Sequence, residues 1–251
     1  MDSTALAAGI GSGIGAVLYL FVGWRISRRT VSPESRFAAT QFTLFWVLLA
    51  ATTAVGGILS FDAAFSRPSL ALAITVVDLN ILLACAALWG LVGYLVYLYT
   101  GRGFLVPLSV LYGTLYVLLL YYLTASQPTA AIVTAGTVGV SYAAPVSGPA
   151  LAILAILLIA PEFLASFAYF TLAFRTSDRT VRYRVTLVSW GLIAWFSVGS
   201  LNLGAALGGS PVAQLVGHLI DELPALVILL AYYPPKAFQT RLGVTPIQTG
   251  S

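Results

Sequence analysis

The stretch Gln214-Leu215-Val216-Gly217-His218-Leu219-Ile220-Asp221-Glu222-Leu223-Pro224 places an imidazole and two carboxylates inside an otherwise apolar segment that runs to Tyr233. On a helix, His218 stands three residues before Asp221 and four before Glu222, so its ring can reach either acid. Pro224 removes the donor that the carbonyl of Ile220 would have met, which leaves one more acceptor beside the three groups. Groups arranged in this way hold a proton or a cation. In a bilayer, an acid at the centre of a helix costs roughly 2.5–3.5 kcal/mol on insertion scales, so a chain that keeps one must use it.

Asp78 and Asn80 lie together in a second apolar stretch, and Glu162 follows Pro161 in a third. At 1.5 Å per residue, Asp78, Glu162 and the His218 triplet fall between the outer half and the middle of a membrane. No lysine or arginine stands inside these stretches. The carboxylates must therefore share protons, bind a cation or line water, and a proton, a sodium ion or an amine is the implied partner. Pro161 and Pro224 strengthen that expectation, because freed carbonyls beside acids are how interrupted helices bind cations. The ligand- or ion-binding candidates are Asp78, Asn80, Glu162, His218, Asp221 and Glu222. A polar cluster that only ties helices together by hydrogen bonds is the structural alternative. With one histidine and one cysteine, Cys85, zinc chemistry is not expected. No nucleophile elbow or phosphate-binding glycine loop marks a catalytic or cofactor site.

The elements that must position these groups are membrane helices. Apolar residues make up 59% of the 251, and charged residues only 8%, against about 25% in soluble domains. The net charge of +4 does not indicate nucleic acid, because the bases sit at the ends of apolar stretches. Seven spans are expected at about 6–24, 38–59, 70–99, 104–123, 149–174, 183–207 and 212–233, forming one domain over about 1–241 with a short tail at 242–251. Glycines at 9, 11, 13, 15 and 23 predict close packing of the first helix. Residues 132–142, β-branched around a glycine-containing centre, predict a hairpin after the fourth helix, either a lid over the outer mouth or a plain outer loop. With the amino terminus outside, eleven of the twelve bases fall inside, Arg67 being the exception, and the tail is cytoplasmic.

Sliding helices 1–3 onto helices 5–7 matches Trp24-Arg25-Ile26-Ser27-Arg28-Arg29-Thr30-Val31 with Phe174-Arg175-Thr176-Ser177-Asp178-Arg179-Thr180-Val181, five of the eight positions being identical. Asp78 and Asp221 then fall in corresponding helices, a parallel three-plus-one-plus-three plan of the kind transporters use.

Seven helices, an outside amino terminus, short inner loops, an outer hairpin and an aspartate in both helix 3 and helix 7 resemble the microbial rhodopsin fold. The segment Ile220-Asp221-Glu222-Leu223-Pro224-Ala225-Leu226 is similar to the rhodopsin segment in which an aspartate precedes the retinal lysine by four residues. Here that position is Ala225, so retinal is not expected, and the hairpin follows a different helix from the one usual in rhodopsins. Arg182-Tyr183-Arg184 with Trp190 and Trp195 is similar in style to the seven-helix sensor regions ahead of some prokaryotic histidine kinases. Sugar-exporter-like proteins share the repeat plan, but their proline-glutamine dipeptide is missing.

These features lead to the expectation of a retinal-free, rhodopsin-like receptor of a prokaryotic inner membrane. It would bind a small cationic or protonatable ligand in a carboxylate-lined cavity and pass the change to a cytoplasmic partner. A proton- or sodium-coupled transporter is the alternative, and a membrane enzyme acting on a lipid or isoprenoid by acid catalysis is a third. The expected surroundings are membrane lipid, with no cofactor, no bound metal and no nucleic acid.

Overall fold

The chain is seen in a computed structural model that describes residues 2–28, 36–134, 136–208 and 223–246. It is predominantly helical. The elements are α1 (Ser3–Ser27), α2 (Arg36–Phe65), α3 (Leu70–Thr100), α4 (Leu105–Ala125), β1 (Pro128–Thr134), β2 (Thr137–Tyr142), α5 (Gly148–Arg175), α6 (Arg179–Gly208), α7 (Leu223–Tyr232) and α8 (Lys236–Leu242). Helices α1 to α5 are long and apolar enough to cross a membrane. Of the stretch 212–233 expected as a seventh span, the structure describes the ten-residue apolar helix α7, and the first eleven positions lie outside the described residues.

The faces turned away from the bundle are apolar. On α1, Ile10, Ile14, Val17 and Phe21 recur every three or four residues and are all exposed, and α5 exposes Phe163, Phe167 and, two turns further on, Phe174. In water such stripes would each cost several kcal/mol, whereas in hydrocarbon they are the ordinary outer surface. Packing inside relies on small residues. A Cβ on Gly9 would lie 3.0 Å from the Phe61 ring, and one on Gly57 3.0 Å from the Cβ of Ser12, so α1 and α2 approach as closely as their glycines permit. Helix α2 continues the layer onto α3, α5 packs on α6 and α6 on α7, and α4 rests chiefly on α3 and α5. Phe45, Trp46, Leu88, Leu91 and Ile228 meet in the central core.

Three expectations needed correction. Helix α2 runs six residues past 59 to Phe65, because nothing breaks it before Pro68 and because Ala63 and Ala64 are buried beneath the start of α1, where Asp2 N–H donates to Ala64 O at 2.9 Å. The turn into α3 therefore shrinks to residues 66–69, and the Ser69 hydroxyl caps α3 through Leu72 N–H at 3.2 Å. The carboxyl-terminal segment is not a plain tail. Pro235 opens α8, Gly243 closes it in the left-handed region at φ 63°, and the Arg184 Nη2 group donates to Thr245 O at 2.7 Å beyond it. The expected fifth helix is one helix over Gly148–Arg175, but it is interrupted by a π turn at Ala155–Ile159. Pro161 supplies no N–H to Leu157, so the ladder widens ahead of it and Ala160 N–H reaches back five residues to Ala155 O.

The hairpin after α4 is present as expected, with Val133 opposite Val138 and Ala131 opposite Val140. It crosses the ends of the first three helices. Val138 packs with Ala5, Leu59, Ala63, Ala64 and Ala73, a separate apolar cluster that seats the hairpin on α1, α2 and α3. Its tip is Gly136, at φ 85°, where a Cβ would stand 2.7 Å from Thr4 O.

Candidate functional site

Beneath the hairpin lies a cavity of about 210 Å³. Helix α1 contributes Ser12, α2 contributes Thr52, Thr53 and Ser60, α3 contributes Asn80, and Val138 of β2 covers it. Helix periodicity explains why these residues meet. Positions 52, 56 and 60 recur every fourth residue on α2, as do 76 and 80 on α3, so each helix turns one line of residues toward the space between them, with Thr52, Ser60 and Asn80 its polar members. Gly56, in the middle of the α2 line, leaves room for the Asn80 side chain, whose Nδ2 would be 3.8 Å from a Cβ there.

The hydrogen bonding of this wall is one-sided. Thr52 and Thr53 each donate their hydroxyl proton to the carbonyl four residues back at 2.9 Å, and Ser60 does so to Gly56 O at 3.2 Å. Donors spent on their own helix leave only oxygen lone pairs directed elsewhere. Asn80 Oδ1 is buried and has no hydrogen-bond partner among the described residues. A buried acceptor left unmet costs about 1–3 kcal/mol. The wall is therefore rich in acceptors and carries no full charge on any described lining residue.

The candidate residues from the sequence separate. Asp78 and Asn80 are two positions apart, about 200° around the helix, so they face opposite sides of α3. Asn80 faces α1 and α2. Asp78 lies on the same side as Ile81 and Cys85, which pack toward α4 and α5. Its carboxylate is close enough to Tyr116 of α4 and Tyr142 of β2 to act on both. At Tyr142, burial first and then the Asp78 charge push the phenol above its usual range. Glu162 sits just past the π turn on the inward face shared by Ala165, Ser166 and Tyr169, is 8% exposed, and its Oε2 has no hydrogen-bond partner among the described residues. Among the described residues, no three of histidine, cysteine, aspartate and glutamate gather where they could hold a metal. His218, Asp221 and Glu222 lie outside the described residues. Ala225 is fully buried in the central core.

Ser12, Thr52, Thr53 and Ser60 were not singled out in the sequence, because a lone hydroxyl in a membrane helix is common. The signal was available in the spacing of Thr52, Gly56 and Ser60.

Glu162 yields a prediction with a definite sign. Glu162→Met keeps the volume and removes an unmet buried oxygen, so the variant should be more stable by about 1 kcal/mol. For a chain of this size that corresponds to a rise in Tm of roughly 2–4 °C. A fall in Tm measured on the purified protein in detergent would mean that the carboxyl group is structurally engaged.

No family model matches the chain, and no curated protein matches it significantly in sequence.

Proposed function

We propose that the chain is a seven-helix, rhodopsin-like receptor of the cell's inner membrane, without retinal, that binds a small protonated amine in the cavity beneath its hairpin. The observation that carries this reading is the acceptor-rich wall formed by Thr52, Thr53, Ser60 and the unmet Oδ1 of Asn80. An ammonium group brings up to three donors and no acceptor, the complement of that wall. In this reading α1 enters from outside, the hairpin faces outward, and the arginine-rich ends of the helices meet a cytoplasmic partner. Asp78, on the far side of α3 but under the same hairpin, adds negative potential near the entrance.

The test compares benzylammonium with benzyl alcohol, which has nearly the same shape and no charge. Isothermal titration of the full chain in lipid nanodiscs should show binding of the ammonium at least tenfold tighter than that of the alcohol. Equal affinity, or no heat from either, would end the amine reading.

A transporter is the second reading, because a further cavity opens at the opposite end of the bundle and the packed Phe45, Trp46 and Leu91 side chains lie between the two. Alternating access needs such a pair. Accumulation of labelled methylammonium in proteoliposomes, driven by a pH gradient, would favour it over a receptor.

A further inference from the structure

The second cavity has a volume of about 390 Å³, within the range of about 300–1,000 Å³ typical of sites for small organic molecules. It lies at the arginine-rich end, where the last turns of α1, α3, α5 and α7 meet the first turns of α2 and α6. Its chemistry is the reverse of that beneath the hairpin. None of its described lining residues is acidic, and Arg184 is the one charged group among them.

The lining is graded with depth. Along α6, Val188 stands one turn deeper than Arg184, so the guanidinium is near the rim and the wall below it is apolar. Four rings complete that wall. Phe42 is stacked on Tyr94 with centroids 5.0 Å apart and stands edge-on to Tyr232 at 6.3 Å, and Tyr169 comes from α5. Rings arranged edge-on and offset leave aromatic faces and edges for one more ring to meet. Arg184 is held at the rim by its hydrogen bond from Nη2 to Thr245 O at 2.7 Å. A planar guanidinium fixed in this way suits a carboxylate better than a mobile lysine would.

We propose that this inner cavity binds an aromatic carboxylate, its ring among Phe42, Tyr94, Tyr169 and Tyr232 and its carboxylate on Arg184. The proposal stands independently of the amine site, since the two cavities share no lining residue and ask for opposite charge. In the receptor reading the inner ligand is a second molecule, one that reports or sets the state of the cytoplasmic side.

The test uses the full chain in nanodiscs of zwitterionic lipid and three probes: indole-3-acetate, its neutral counterpart indole-3-acetamide, and octanoate. The acetate is expected to bind at least tenfold tighter than the amide by isothermal titration. Arg184→Gln should abolish that difference, and Arg184→Lys should keep part of it, with both variants still melting cooperatively near the wild-type temperature. Should Arg184→Gln fail to melt cooperatively, Val188→Trp decides instead: it fills the deep wall and should block the acetate while leaving the guanidinium in place. Acetate and amide binding alike, acetate binding unchanged in a folded Arg184→Gln variant, or acetate binding unchanged in Val188→Trp would each overturn the assignment. Octanoate binding as tightly as the acetate would overturn its aromatic part.

Discussion

Asn80→Leu should weaken benzylammonium binding by roughly 10- to 100-fold while leaving the protein at least as stable as the wild type. The two effects share one cause. Leucine branches at the same carbon as asparagine but has no oxygen, so the variant loses an acceptor that a charged donor would use, worth about 1.5–3 kcal/mol, or one to two factors of ten. Among the described residues the same oxygen is buried without a partner, so removing it relieves a cost. A side chain that merely braces α3 would show the reverse, lower stability with binding unchanged. Isothermal titration and thermal melting of one preparation separate the two. Asn80→Asp should bind the ammonium more tightly than the wild type, since it keeps an oxygen in place and adds a charge.

Gly136→Val should unseat the hairpin. A valine at φ 85° adopts a left-handed conformation that costs about 1–2 kcal/mol, and more for a β-branched side chain. Its Cβ would also lie 2.7 Å from Thr4 O and 2.9 Å from Ala5 Cα, backbone atoms that cannot swing aside. Together the expected loss is about 3 kcal/mol, with the second part drawn from the usual cost of overpacking. The tip is seated by the small cluster around Val138, while Tyr142 at the base packs in a separate cluster with α3, α4 and α5, so the loss should be local to the tip. Limited proteolysis should then cut between residues 127 and 142, and benzylammonium should dissociate faster. Gly139→Ala is the control: a Cβ there meets only the Ile132 side chain at 3.6 Å and at 3.9 Å, ordinary contact distances. A Gly136→Val protein as resistant to protease as Gly139→Ala would show that the tip does not anchor the hairpin.

The architecture was legible where one strong physical signal acted alone. Long apolar runs marked the membrane-length helices, and residues 132–142 marked the hairpin through β-branched side chains around glycine. Boundaries were less legible. The segment Ser60 to Ser69, with Asp62 and Arg67, suggested an early end to α2, yet the helix persists because tertiary burial of Ala63 and Ala64 outweighs local polarity. The segment 236–242 carries too few residues for periodicity to reveal a helix, and what holds its far end is Arg184, some fifty positions earlier. The site was only half legible. Charge drew notice to Asp78 and Glu162, while the cavity under the hairpin is built from hydroxyls whose meaning depends on where their protons point, which composition cannot say. That Asp78 and Asn80 face opposite ways follows from helical geometry alone and was available in the sequence.

The π turn in α5 has a bearing on how this chain tolerates changes in length. It inserts one residue beyond the regular winding, so the face carrying Glu162, Ala165 and Tyr169 is turned by about 100° from where an uninterrupted helix would have set it. Lineages that lost a residue between positions 155 and 159 would straighten the winding and keep both ends of α5 in register with their neighbours. The same loss after position 162 would rotate Tyr169 out of the bundle and Phe167 toward it. Indels in this helix should therefore be confined to those five positions, the one place where its length and its orientation are uncoupled.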